Sequence, residues 1–360
     1  MTLIGKNAHL RRLVLSVLLS LAVLPVGWPH HVVLGVADSP GDAQQLAQHA
    51  RVDARYQYLS GGVNTGQGWA TWNPDGTFAS MYVRESIAEH MIPVLTYYQL
   101  LQSEPAVGST EEQKDLSNLR NPATMSAYWN DYQLLLRRVG SAAGRHLAII
   151  HIEPDLWGYL EQAHATALAR SFARKLIALR NRIAPHVLLA WHLSVWGTGV
   201  DPTDAKPSLP EMDALAAKSA AFYSALGVRF NLVFNDVTDR DAGFYQYVEG
   251  NPDTWWGPAD FRRLNVYIAG FTRRTRTPVV LWQLPLGNTM LNNTWGHYQD
   301  NRLQWWFDDP SGEHLRATRD AGVIGFLFGG GAAGTTSDQT DGGFFYLLAS
   351  RYEAHPLALP

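Results

Sequence analysis

Eight short apolar runs punctuate the chain: HVVLGVAD (31–38), ARYQYLS (54–60), IPVLTYYQL (92–100), HLAIIHIE (146–153), VLLAWHLSVW (187–196), FNLVFNDV (230–237), PVVLWQLPLG (278–287) and VIGFLFGGG (323–331). Each is near-continuously apolar, rich in β-branched or aromatic residues and bounded by turn residues. That is the pattern of strands buried on both faces of a parallel sheet. Between the runs the apolar period becomes helical. Residues 167–184 put Leu168, Phe172, Leu176 and Leu179 on one face and Arg and Lys on the other. Residues 125–140, 212–227 and 258–275 behave in the same way. Ser39-Pro40 reads as the N-cap and first residue of a short helix, and Gly140 and Gly227 stand where helix C-caps belong.

Eight β–α units predict an α/β fold, a (β/α)8 TIM barrel forming a single domain over residues 31–355. A doubly wound open sheet is the competitor, but ADSPGD follows the first run where that fold needs a Gly-rich turn. No linker, repeat or low-complexity tract divides the chain.

Upstream, Lys6, Arg11 and Arg12 precede the 14-residue apolar stretch Leu13 to Val26. This reads as a signal peptide or signal anchor over residues 1–28, too short for a comfortable membrane span. It implies a secreted or cell-envelope protein whose membrane tether, if any, runs through that segment. The chain has no cysteine, which excludes disulfides and thiolate chemistry and suits bacterial export. A net charge of -3 gives no reason to expect a nucleic acid partner. The 13 Trp and 15 Tyr suit a surface that stacks on sugar rings. A carbohydrate substrate, no cofactor, no metal and a monomeric state are the expectations.

In a barrel the strand C-termini build the site. The fourth run ends AIIHIEPDLWGY (148–159). Strand alternation puts His151 and Glu153 on one face and aims Glu153 at the barrel mouth. Asp155 lies past Pro154, where alternation no longer gives direction. Glu153 is therefore the expected proton donor, Asp236 at the sixth strand's end the nucleophile or base, and Asp155 a supporting or substitute carboxylate. Arg55, Tyr97, Tyr98, His192, Asn235, Asp239, Gln283 and Asn288 are expected to contact substrate, with Trp157 and Trp196 stacking on rings. Plainer roles compete. Glu153 could pair with Arg55, Asp155 could cap the next segment, and Asp239 could bond Arg240. His192 could be a hydrogen-bonded barrel residue. The three tryptophans Trp157, Trp196 and Trp282 could be core, with Trp282 on the strand face opposite Gln283, toward the helices. The glycine run after the last strand lacks the Lys-Ser/Thr of a phosphate cradle and reads as a sharp, ligand-approached turn.

Two carboxylates at separate strand ends, among Trp, Tyr, Asn, Gln and His, meet the needs of glycoside hydrolysis: one acid protonates the leaving oxygen, the other carboxylate attacks the sugar or activates water. Here the chain resembles the barrel-fold glycoside hydrolases, in layout from about residue 31 to 352. The large clan with its two glutamates on strands four and seven would want an acid where Gln283 stands, and the chain departs from it there. A pair on strands four and six, Glu153 with Asp236 or Asp239, looks more like other clans. The triplet Glu153-Pro154-Asp155 is similar to one in cellobiohydrolase-type cellulases, which implies a β-glucan-like substrate. Two alternatives stay open. His151, Glu153, Asp155 and His192 could hold a divalent metal for hydrolysis, or the barrel could bind polysaccharide without cleaving it.

Overall fold

The computed structural model describes residues 22–360. Most of the expected signal segment lies outside the described residues. Eight strands form in the expected windows: β1 (Val33–Ala37), β2 (Ala54–Leu59), β3 (Ile92–Tyr97), β4 (Ile149–Ile152), β5 (Leu188–His192), β6 (Leu232–Asn235), β7 (Val279–Leu284) and β8 (Val323–Phe328). Each pairs in parallel with the next, and β8 pairs with β1 to close the barrel. Helices cover the outside, including Pro122–Ala143, Thr166–Ile183, Leu209–Ala225 and Pro258–Thr275.

Alternation along the strands divides the core. Val33, Ile92, Val94, Ile149, Leu232 and Phe234 pack together inside the barrel. Their neighbours Leu34, Leu95, Ile150 and Val233 join the helix faces in a second, larger cluster. Trp28 is buried with the inner cluster, beside the first residues of several strands. It plugs the N-terminal end of the barrel.

Two helix signals resolve differently. The helix Ala43–His49 starts after Asp42, not at Ser39-Pro40. Gly140 lies inside the helix Pro122–Ala143, which ends at Gly144, whereas Gly227, at a φ of +68°, follows Leu209–Ala225. Among the described residues no helix is long and apolar enough to cross a membrane.

Candidate active site

Strand alternation breaks at the barrel mouth. Glu153, Asp155 and Gln283 have φ values of +45°, +67° and +57°. Non-glycine residues seldom adopt this region, and such strain gathers at functional sites. Its effect on Glu153 overturns the direction expected from alternation. The side chain is fully buried, and its carboxylate accepts hydrogen bonds from the Gln99 N–H (3.1 Å) and the Leu100 N–H (3.1 Å). Glu153 thus anchors the turn after β3 from behind, next to Tyr128 of the helix Pro122–Ala143. Burial pushes its carboxyl up to about 8, partly offset by the Leu100 and Gln99 N–H bonds.

Asp155 takes the place in the mouth that alternation gave to Glu153. It is half-buried, and the Tyr98 hydroxyl donates to its Oδ2 at 3.2 Å. Burial raises its carboxyl to about 7; His192 pulls it down, while Asp236 and Asp239 push it up. Asp155, His192, Asp236 and Asp239 therefore share one electrostatic neighbourhood, fed by β4, β5 and β6.

A row of polar groups leads into this neighbourhood from inside the barrel. Thr96 Oγ1 lies 3.3 Å from His151 Nδ1, and His151 Nε2 lies 3.1 Å from His192 Nδ1. His192 Nε2 then faces Asp236 Oδ1 at 3.1 Å. Burial holds the His151 ring well below the usual histidine range, and His192 adds to that effect. Thr96, His151 and His192 thus form a buried polar row that ends against Asp236.

Opposite, Gln283 is buried and doubly held. The Tyr58 hydroxyl donates to its Oε1, and its Nε2 donates to Asp239 Oδ1 at 3.3 Å. Gln283 stands in the mouth as expected, but beside an inward Trp282: its positive φ and a register irregularity between Leu281 and Leu284 break alternation there. Trp282 points inward as well, against the expectation that it faces the helices. Its ring centroid lies 4.6 Å from that of His151 and 5.7 Å from that of Tyr58. A Cβ at Gly331 would fall on the Gln283 side chain. That glycine is needed for the protein's own packing, without any ligand.

Five other expected substrate contacts sit outside the mouth. Arg55 is fully buried, ion-paired with Asp38 (2.8 Å) and Glu85 (2.9 Å), so it is no partner for Glu153. Tyr97 faces the helices and donates to Asp131 Oδ1 at 2.7 Å. Trp157 is buried against Phe172 and Trp191, its Nε1–H bonded to the Ile152 carbonyl. Asn235 ties its strand end to the Leu193 carbonyl, and Asn288 ties its loop to that of Asp341. These polar tips satisfy buried backbone or acid groups, a use that residue type alone does not distinguish from substrate binding.

Trp196 remains at the site. It lies over Gly158, where a Cβ would meet its ring at 2.6 Å. It borders a cavity of about 270 Å³ that opens from Asp236 and Asp239 and is also lined by Asp201, Asp204, Tyr245, Glu249 and Trp256. Those five residues were not singled out from sequence, and Tyr58, whose hydroxyl holds Gln283, was noted on its strand without a site role. All but Tyr58 stand in loops or short helices, where no period marks them. Tyr58 shares strand alternation with Tyr56, and that signal could have found it. The metal-ligand set considered from sequence does not assemble, because Glu153 turns away from Asp155 and His151 is engaged below His192.

No protein-family profile and no curated protein matches the sequence. Solved structures do resemble the fold. An engineered protein (Northeast Structural Genomics Consortium target OR128) gives a TM-score of 0.57 at 13% identity, over 91% of this chain and 70% of the other. A modular endo-beta-1,4-mannanase of glycoside hydrolase family 26 from Cellulomonas fimi gives 0.55 at 11% identity, over 91% of this chain and 71% of the other. The exo-beta-1,4-mannosidase Op5Man5 from Opitutaceae bacterium strain TAV5 gives 0.55 at 11% identity, over 93% of this chain and 61% of the other. At these identities the likeness establishes the barrel fold, one that glycoside hydrolases share.

Proposed function

We propose that the protein is an exported glycoside hydrolase that cleaves O-glycosidic bonds in a polysaccharide or oligosaccharide. One observation carries the reading. Two carboxylates from different strand ends, Asp155 and Asp236, share the barrel mouth in different surroundings. Asp155 is bonded by a neutral hydroxyl and held up to about 7; Asp236 faces His192. Two carboxyls in unlike surroundings at one barrel mouth are what separate acid and base roles require.

In this mechanism Asp155 protonates the leaving glycosidic oxygen. Asp236, oriented by His192, attacks the anomeric carbon or activates water, with Asp239 as the neighbouring substitute. Tyr98 and Gln283 orient sugar hydroxyls. Trp196 borders the cavity and would stack on a sugar ring. Glu153, the first choice from sequence, supports the loop that carries Tyr98. The neighbouring structures support the substrate class, since two are described as acting on beta-1,4-mannosides.

The cavity adds a charge preference. Asp201, Asp204, Asp236, Asp239 and Glu249 line it, and its arginine, Arg302, is ion-paired with Asp300. Neutral or amine-bearing sugars suit that lining better than uronates or sulfated sugars. The test is a panel of neutral, amino and acidic polysaccharides assayed for new reducing ends. Release from a neutral or amino polymer, lost in Asp155→Asn and Asp236→Asn, is the expected result. Binding without release from any of them would overturn the enzyme reading. Export is tested by sequencing the N-terminus of the mature protein from the producing cell.

A further inference from the structure

At the end of the barrel away from the mouth, His31, Asp53 and Glu353 bring three potential ligand atoms within 4.8 Å of one another. They come from three distant parts of the chain. His31 precedes β1 and bridges to Ala358 near the C-terminus, Asp53 leads into β2, and Glu353 belongs to the last helix, Phe344–Ala354. His31 Nε2 and Asp53 Oδ1 are 2.9 Å apart. Two ligands at about 2.1 Å from one tetrahedral ion would stand about 3.4 Å apart, so binding would open the His31–Asp53 pair by about half an ångström and draw the third atom in from within 4.8 Å.

One oxygen of the cluster is left without a hydrogen bond. Glu353 Oε1 is buried and accepts no hydrogen bond. Asp53 already uses Oδ2 to accept the Leu34 N–H at 3.0 Å and Oδ1 to meet His31. Glu353 thus brings a second carboxylate, with one oxygen unbonded, to the side of the His31–Asp53 pair, and a dication would take that oxygen. The side chains of His31 and Asp53 are 25% and 11% exposed, so an ion can reach them from solvent.

We propose that His31, Asp53 and Glu353 bind one divalent transition-metal ion, of which zinc fits the imidazole and carboxylate donors best. The ion joins the segment before β1, the start of β2 and the final helix at the N-terminal face, where barrels place stability rather than catalysis. It takes no part in the proposed glycosidase chemistry, and the two ideas fail separately.

The test uses the full chain stripped with chelator and titrated with zinc chloride. One equivalent should bind, and saturating zinc should raise Tm by about 5 °C at a hundredfold excess over Kd. Glu353→Gln and His31→Gln should each abolish the rise, while Asp155→Asn, at the opposite end, should keep it. The melting point of each metal-free variant shows whether it folds. Should one of them fail to fold, the cobalt(II) spectrum of the wild type reports nitrogen and oxygen ligation directly. Absence of stoichiometric zinc, or a full Tm rise in folded Glu353→Gln, overturns the proposal.

Discussion

Replacing Glu153 with Gln separates an anchor from a catalyst. The Glu153 Oε2 accepts both the Gln99 and the Leu100 N–H, so a Gln carbonyl oxygen can take its place with both bonds kept. With its carboxyl at about 8, the folded protein holds a proton that the unfolded chain releases near the ordinary glutamate value of 4.5. The folded state therefore binds more protons than the unfolded one between those values, and stability falls as pH rises through that window. The shift corresponds to roughly 4–5 kcal/mol lost by the time pH passes 8. Gln does not titrate, so Glu153→Gln should lack this decline. Melting curves at pH 5 and pH 8.5 should show the variant gaining on wild type by on the order of 5–10 °C across the range. Its kcat should stay within a few-fold of wild type at pH 6. A loss of about 10³-fold or more in kcat with unchanged melting would mean that Glu153 carries the chemistry, and the assignment of Asp155 would be wrong.

Other expectations follow from the same geometry. The kcat/KM profile should fall on its alkaline side near pH 7, where Asp155 loses its proton; His192→Gln should move that limb upward, because His192 holds the Asp155 carboxyl down. Asp236→Asn should lower kcat by at least about 10²-fold with Tm nearly unchanged, since its carboxylate lies at the mouth rather than in the core. Trp28→Ala should cost about 3–5 kcal/mol in urea unfolding and leave kcat intact, because it empties the plug at the far end of the barrel. Polyuronides should be neither bound nor cleaved, which affinity electrophoresis can check.

The barrel was legible because its signal is repeated: eight apolar runs with helical stretches between them leave few alternatives. The mouth was legible only where alternation holds. His151 and His192 point inward as their strands dictate. Glu153 follows β4 and Gln283 lies inside β7, and a positive φ at each breaks alternation: Glu153 turns out of the mouth, while Trp282 and Gln283 both face inward. Asp155 was given no direction from sequence for the same reason. Arg55, Tyr97, Trp157, Asn235 and Asn288 have the residue types of a sugar site, but their polar atoms satisfy buried partners that only the folded chain brings near. The acidic cavity was invisible because its residues are scattered over loops between Trp196 and Trp256, with no spacing that marks them as neighbours.

The central claim is that Asp155 supplies the proton to the leaving oxygen, and leaving-group dependence measures this most directly. Two aryl glycosides of the sugar that wild type cleaves, one with a poor leaving group and one whose phenolate leaves without protonation, are compared in Asp155→Asn. The account predicts a loss of about 10³-fold in kcat/KM on the first and a far smaller loss on the second. An equal loss on both, or no loss on either, would contradict it.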